Sequence, residues 1–406
     1  MSNIIEVLGK EKIKYRSRNL LNKSLLPERI EIVESLDYKL YVHDSMPGVK
    51  FINCCTIILT SHGNRVDYFK KSVESILSQT SGNFELILVD HGCELELKNL
   101  IHDYFLTDVR IKLIVFSENL YNPKEKILVE ERFSNVLNAA LFCSEGEFVY
   151  FLSYDDFLSE NYISCVIPLF LDNKDCVVVA PAVASVDEAS VKNKDVTNSL
   201  YEINSLRKRY MNGIDLANSV IQGFNKFSAP GGLFCYRTNL VLVGGGFDCM
   251  NDYSQIFKFA VLGDVGTSME AVLYWRHHSN QTNRANIKLG VLYYAIFHDW
   301  VNHINKFYIA NNISESYQKN FSEYMENRLR QHSISCIRDS IRSGLQGTVG
   351  IFAEIVKTAP RMYIYFFFIT LLTELPYFIY NYVPEEIKGY YRTVRDARTP
   401  PRKSDS

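Results

Sequence analysis

The sequence predicts an α/β fold: a mostly parallel sheet with helices on both faces, continued by a helical C-terminal extension. Three observations carry this expectation. Short apolar runs rich in β-branched residues recur at 54–59, 84–89, 111–116, 148–152 and 176–180. They lack the alternation of a half-exposed strand and read as strands buried on both faces. Between them apolar residues repeat at helical spacing, first Phe69, Val73, Ile76 and Leu77, then Phe133, Val136, Leu137, Ala140 and Leu141, and strand alternating with helix is the pattern of crossover units on a parallel sheet.

Residues 1–50 mix charges with short apolar runs and read as a leader packed on the domain that follows. That domain spans 51–285. After Pro181 the alternation weakens: 182–198 is polar and loop-like, a helical stretch and a Gly-rich segment at 229–232 follow, and 244–247 is again Gly-rich. Tyr253, Ile256, Phe257, Ala260 and Val261 share one face of a predicted helix over 252–262, before a strand at 271–276. From Lys288 the chain reads as helix, giving a helical extension over 286–360 and an apolar and basic tail over 361–406.

Composition narrows the function. The chain has 406 residues, 47% hydrophobic and 22% charged, enough to bury a large core. Lys plus Arg number 44 against 46 Asp plus Glu; without a global basic field, nucleic acid is not an expected partner. The nine cysteines form no CxxC pair and mostly sit in apolar runs, so they read as reduced core residues of a cytoplasmic protein. The N-terminal charges are followed by no long apolar stretch, which argues against a secretory signal.

Four polar clusters fall where a buried strand or a Gly-rich turn ends: Thr60 to Arg65, Asp90-His91-Gly92, Ser153-Tyr154-Asp155-Asp156, and Asp252. In a parallel sheet ligands bind at the carboxyl ends of the strands. Any one of these aspartates is more readily a helix cap than a functional group; their joint placement is the signal. Adjacent Asp155 and Asp156 repel unless a cation or hydrogen bonds compensate them, and such oxygen donors suit magnesium or manganese.

At these residues the chain resembles the family 2 glycosyltransferases. CTIILTSHGNRVDYFKKSVESILSQ (55–79) is similar to their opening strand, polar turn and "eSil.Q" helix, and FELILVDHG (84–92) to their second strand. NAALFCSEGEFVYFLSYDDFL (138–158) looks like the segment ending "fLD.DD.l". Residues 231–278 resemble the acceptor half, with "GGlf.r", "vGGFd", "Dy.l..r.a..G" and "yR.H", so the likeness covers roughly 50–285 in order. It implies a GT-A-type, Rossmann-like fold and inverting transfer from a nucleotide-sugar, UDP-linked in the simplest reading, to a glycan or lipid-linked glycan in bacterial surface polysaccharide synthesis. By the same likeness Ser61 and Asp90 would hold uracil and ribose, with Asn138, Ser153, Gly231 and Gly232 completing the donor site. Asp155 and His278 would bind Mn2+ or Mg2+, and Asp252 would be the catalytic base.

Three positions depart from the family pattern. Ser153 stands where the first Asp of the DXD-type motif is usual, Leu137 where an Arg is usual, and Asn251 where an acidic residue often precedes the base. These departures motivate an alternative, a sugar-nucleotide-binding protein of this fold that has lost catalysis. A nucleotidyltransferase is disfavoured because no Gly-rich, Lys-bearing loop follows the first strand. Each residue also has a plainer role: Asp252 as an N-cap, His278 as a surface histidine, Asn138 as partner to a buried backbone group, and His62 and His91 as turn residues. The segment 362–383 is dense in Tyr and Phe but interrupted by Glu374 and Pro376. It suits a bilayer interface, with Glu374 left in water, or a buried core or homodimer contact, better than a spanning helix.

Overall fold

The computed structural model describes residues 30–34, 38–43, 52–116, 129–191, 209–223, 232–248, 251–278 and 292–342, with scattered positions from 349 to 374. In chain order the elements are β1 (Ile30–Glu34), β2 (Tyr38–His43), β3 (Cys55–Gly63), α1 (Val66–Leu77), β4 (Phe84–Cys93), α2 (Leu95–Thr107), β5 (Ile111–Phe116), α3 (Val129–Cys143), β6 (Phe148–Ser153), β7 (Phe157–Leu158) and α4 (Tyr162–Asp172). There follow β8 (Cys176–Val186), β9 (Tyr210–Asn212), α5 (Gly213–Ile221), β10 (Cys235–Arg237), α6 (Thr238–Val243), α7 (Asn251–Ser254), β11 (Asp264–Arg276), α8 (Leu292–Ala310) and α9 (Glu315–Arg342). The chain divides into two compact units, Met1–His278 with Ile304–Gln318, and Ser279–His303 with Lys319–Ser406.

The first unit is built on one 11-stranded sheet in the order β1-β2-β5-β4-β3-β6-β10-β8-β11-β7, with β9 also on β11. Strands β5, β4, β3 and β6 are mutually parallel, in the 3-2-1-4 order of a nucleotide-binding α/β half. The short β10 runs antiparallel between β6 and β8, and β11 is parallel to β8. Strands β3, β4, β5, β6, β8 and β11 therefore all point one way and end on one edge, as the sequence predicts for a mostly parallel sheet.

Burial follows from the apolar runs. Cys55, Ile57 and Leu59 of β3 join Leu86, Leu88, Leu113 and Tyr150 in one core, filled by Phe69, Val73 and Ile76 of α1, Leu97 and Ile101 of α2 and Tyr162 and Val166 of α4. The alternate residues of these strands face the opposite side, where α3 packs on β3 and β4. Helices thus cover both faces.

The structure corrects three expectations and adds detail to a fourth. Within the leader, β1 and β2 form a hairpin that extends the sheet, β2 pairing antiparallel with β5. Strand β8 does not stop at Pro181 but runs to Val186. Pro181 lacks a donor, and the partner strand answers with a register shift between Thr267 and Val272, opposite that proline. The same pairing lengthens the last strand back to Asp264. The helix expected over 252–262 is α-helical only in α7, then a π-turn at Gln255–Phe259 and a 3-10 turn at Ala260–Leu262.

In the second unit, α9 carries Arg338 and Arg342, whose Nε atoms lie 2.9 and 2.8 Å from the Glu374 carboxylate. Glu374 is only 7% exposed, so it is clamped against protein rather than left in water. Phe352 and Phe367 pack with ring centroids 4.8 Å apart, and Thr370 is buried. Most of 362–383 and the basic tail beyond it lie outside the described residues. Among the described residues no helix is long and apolar enough to cross a membrane.

Candidate active site

The strand ends bring the predicted residues together by register. Ser61 of β3 pairs with Asp90 of β4, and the preceding Thr60 pairs with Ser153 of β6. The Ser61 hydroxyl donates to Val89 O at 2.8 Å and accepts the Cys93 thiol at 3.5 Å. That side chain is spent inside the fold, which leaves main-chain groups as its offer to a ligand. Asp90 Oδ1 accepts the N–H groups of Gly92 and Cys93 at 3.2 and 2.9 Å, while Oδ2 lies 3.5 Å from Lys98 Nζ. The carboxylate is thereby fixed at the strand end.

The turn after β6 separates two adjacent carboxyls by environment. Burial alone would raise the Asp155 pKa, but hydrogen bonds from His278 and Ser153 hold it below the usual value. Asp156 is pushed well above that value by burial and by the Asp155 charge. One carboxyl is kept ionised and its neighbour is biased to the neutral form. His278 Nε2 lies 3.1 Å from Asp155 Oδ2, and Asp155 Oδ1 is buried with no hydrogen-bond partner. The helix beneath locks this turn: the Ser72 hydroxyl of α1 reaches the carbonyls of Tyr154 and Asp156. Gln79, the last residue of the "eSil.Q" pattern, donates to Ser159 O at 2.6 Å and accepts Ile163 N–H at 2.9 Å.

Among the described residues no group of three or more His, Cys, Asp or Glu gathers as a metal site. An orphaned carboxylate oxygen beside one histidine is nevertheless a fitting partial set for a hard cation that takes its remaining oxygens from a diphosphate and water. The residues fit a two-ligand site once His278 Nε2 exchanges its hydrogen bond to Asp155 Oδ2 for the cation.

Two predicted donor-site residues have other work in the fold. The Asn138 amide donates to Phe247 O at 2.8 Å and accepts Phe247 N–H at 2.7 Å, the buried-backbone role that the sequence left open. A Cβ on Gly232 would sit 2.3 Å from Phe151 O, so this glycine is required by the close passage of the turn before β10 over β6. Gly231 lies outside the described residues. So does the Asp252 side chain, although its main chain forms part of α7.

Sequence reasoning missed several groups around this edge. Arg276, at the end of β11, donates from Nε to Asp155 O at 2.8 Å, and its main-chain N–H donates to Asp156 Oδ1 at 2.9 Å. A charged residue closing the apolar strand AVLYWR was the available signal. The His62 and His91 rings meet at a tilt of 39° with centroids 5.2 Å apart, and His62 also meets Tyr154 edge-on at 5.1 Å. Burial holds His62 below its ordinary pKa, and burial with the His62 neighbour lowers His91 to about 3, so both rings are neutral. Near α7, the buried Lys258 amine bonds Gly246 O at 2.9 Å and Asp248 Oδ2 at 3.2 Å, and Ser254 Oγ donates to Asp248 Oδ1 at 2.7 Å. These contacts, with Gln255 accepting Phe234 N–H at 3.0 Å, hold the extra residue of the π-turn.

Residues 56–229 match the model of the family described as Glycosyl transferase family 2. The chain is 30% identical over 115 residues to Protein CgeD of Bacillus subtilis, covering 28% of this chain and 26% of that protein. It is 24% identical over 237 residues to an uncharacterized glycosyltransferase of Haemophilus influenzae, covering 57% of this chain and 68% of that one. Among solved structures, S. aureus TarS 1–349 in complex with UDP is similar with a TM-score of 0.46 and 16% identity, over 67% of this chain and 70% of that chain.

Proposed function

We propose, from the match of residues 56–229 to the family 2 glycosyltransferase model, that this chain belongs to that family and transfers one sugar from a nucleotide-sugar to a glycan hydroxyl with inversion. The observation that carries this reading is the ionised Asp155 carboxylate, with its unpartnered Oδ1 and His278 beside it, on the sheet edge where Asp90 also ends its strand. Asp90 and the main chain at Ser61 would hold the nucleoside. Asp155 and His278 would hold a divalent cation, manganese or magnesium, which when bound neutralises the diphosphate leaving group.

Asp252 is the residue assigned to take the proton from the acceptor hydroxyl as that oxygen attacks the anomeric carbon. The acceptor we assign is a growing bacterial surface polysaccharide or a lipid-linked oligosaccharide. A protein or membrane surface would then cover the exposed Phe368 ring.

The test separates binding from chemistry. Asp252→Asn keeps size and capping ability but cannot act as base, so UDP affinity is expected to stay near wild type while transfer falls by about 10²–10⁴. Near wild-type turnover by this variant would reduce Asp252 to a helix cap. Undiminished UDP binding with no turnover by the wild-type protein on any donor would favour the binding-protein reading.

A further inference from the structure

We propose that Arg276 is a positioning residue that holds Asp155 and His278 in one register, and so sets the affinity of the site for a divalent cation together with a nucleoside diphosphate. The inference rests on the proposed function, because it concerns how the assigned cation ligands are held.

Arg276 is 2% exposed, and from the end of β11 it contacts the two segments that leave β6 and β8. After β6, Nε donates to Asp155 O at 2.8 Å. After β8, Nη1 donates to Glu188 O at 2.9 Å and Ser190 Oγ at 2.8 Å. At the end of β11 its own N–H donates to Asp156 Oδ1 at 2.9 Å. The guanidinium also lies over the Tyr68 ring, 4.3 Å from its centroid, and His278 meets the same ring at 5.6 Å.

The position of these contacts argues for more than packing. One end of the fork holds the main chain of Asp155 itself, and His278 follows Arg276 by only two residues. The two assigned ligands are 123 positions apart in the chain. Main-chain pairing ties the β11 end to β8, with His277 N–H donating to Val186 O at 2.8 Å, and the Arg276 side chain adds the tie from that end to the main chain of Asp155. The planar fork is what makes the arrangement possible, since a lysine ammonium is a single point charge and cannot serve Asp155 O and the 188–190 loop together. Because outer partners of metal ligands fix ligand orientation, losing one weakens metal binding without removing a ligand.

Full-length wild type, Arg276→Lys and Ser190→Ala are compared by spectroscopic titration of free Mn2+ in the presence of UDP, by UDP binding without metal, and by thermal unfolding. Arg276→Lys is expected to weaken Mn2+ binding by about 10–100-fold, with metal-free UDP affinity unchanged. Ser190→Ala, which drops one fork contact and retains both ligands, should show a smaller weakening in the same direction. A folded Arg276→Lys variant with wild-type Mn2+ affinity and only a lower unfolding temperature would overturn the proposal. If that variant does not fold, Ser190→Ala decides, and unchanged Mn2+ affinity there overturns it. Wild type binding UDP but no Mn2+ would refute the assigned cation site itself, a failure distinct from either variant result.

Discussion

Replacing His91 with glutamine should make the protein less sensitive to mild acid. In the fold the ring is 3% exposed, its Nε2 has no hydrogen-bond partner, and burial together with the adjacent His62 lowers its pKa from 6.5 to about 3. Below about pH 6.5 the unfolded chain binds a proton at this position that the folded chain refuses. The stabilisation is fully present above the unfolded pKa and is lost as pH falls toward the folded one. Each unit is worth about 1.4 kcal/mol, so acidification from about pH 7 to 4.5 should cost the wild type roughly 3 kcal/mol through His91 alone. Glutamine does not titrate. Urea unfolding at intervals across that range should give the variant a shallower fall in stability by about this amount, whatever its stability at pH 7. Parallel curves for the two proteins would refute the argument that His91 is buried in its neutral form.

Two further substitutions probe the frame. Gly246→Ala places a Cβ 2.4 Å from Asn138 Oδ1 at a φ of +83°. Strain at such a position should lower unfolding free energy by about 1–3 kcal/mol, measured by chemical denaturation. Glu374→Ala removes the carboxylate shared by Arg338 and Arg342. Their half-exposed guanidinium groups can rehydrate, so the loss should be about 1–3 kcal/mol, read in the same way.

The buried strands were legible because continuous runs such as Ile57 to Leu59 and Leu86 to Val89 have one physical reading, burial on both faces. The hairpin of β1 and β2 was not, since short peripheral strands among charged residues carry no comparable run. Pro181 misled in a specific way: it removes one donor, and the cost is absorbed by a bulge in β11 that no local rule reveals. The π-turn is equally silent, because Tyr253, Ile256, Phe257 and Ala260 keep helical spacing while Gln255 and Lys258 are held by distant Phe234 and Gly246. At the site, Asp90 and Asp155 could be singled out from polar residues at strand ends, and His278 only through the family resemblance. Arg276 could not be ranked with them, because it closes an apolar strand and its partners, 86 to 121 positions away, are mostly main-chain carbonyls and a serine hydroxyl that no motif marks. The Ser61 and Asn138 side chains show the reverse case, polar groups at motif positions that the fold uses for its own backbone.

The most direct test of the central claim is release of nucleoside diphosphate from a panel of nucleotide-sugars by the wild-type protein, in manganese and in excess chelator. The account predicts release from at least one donor in manganese, strongly reduced by the chelator and by Asp155→Ala. Equal release by wild type in manganese and in excess chelator would contradict it.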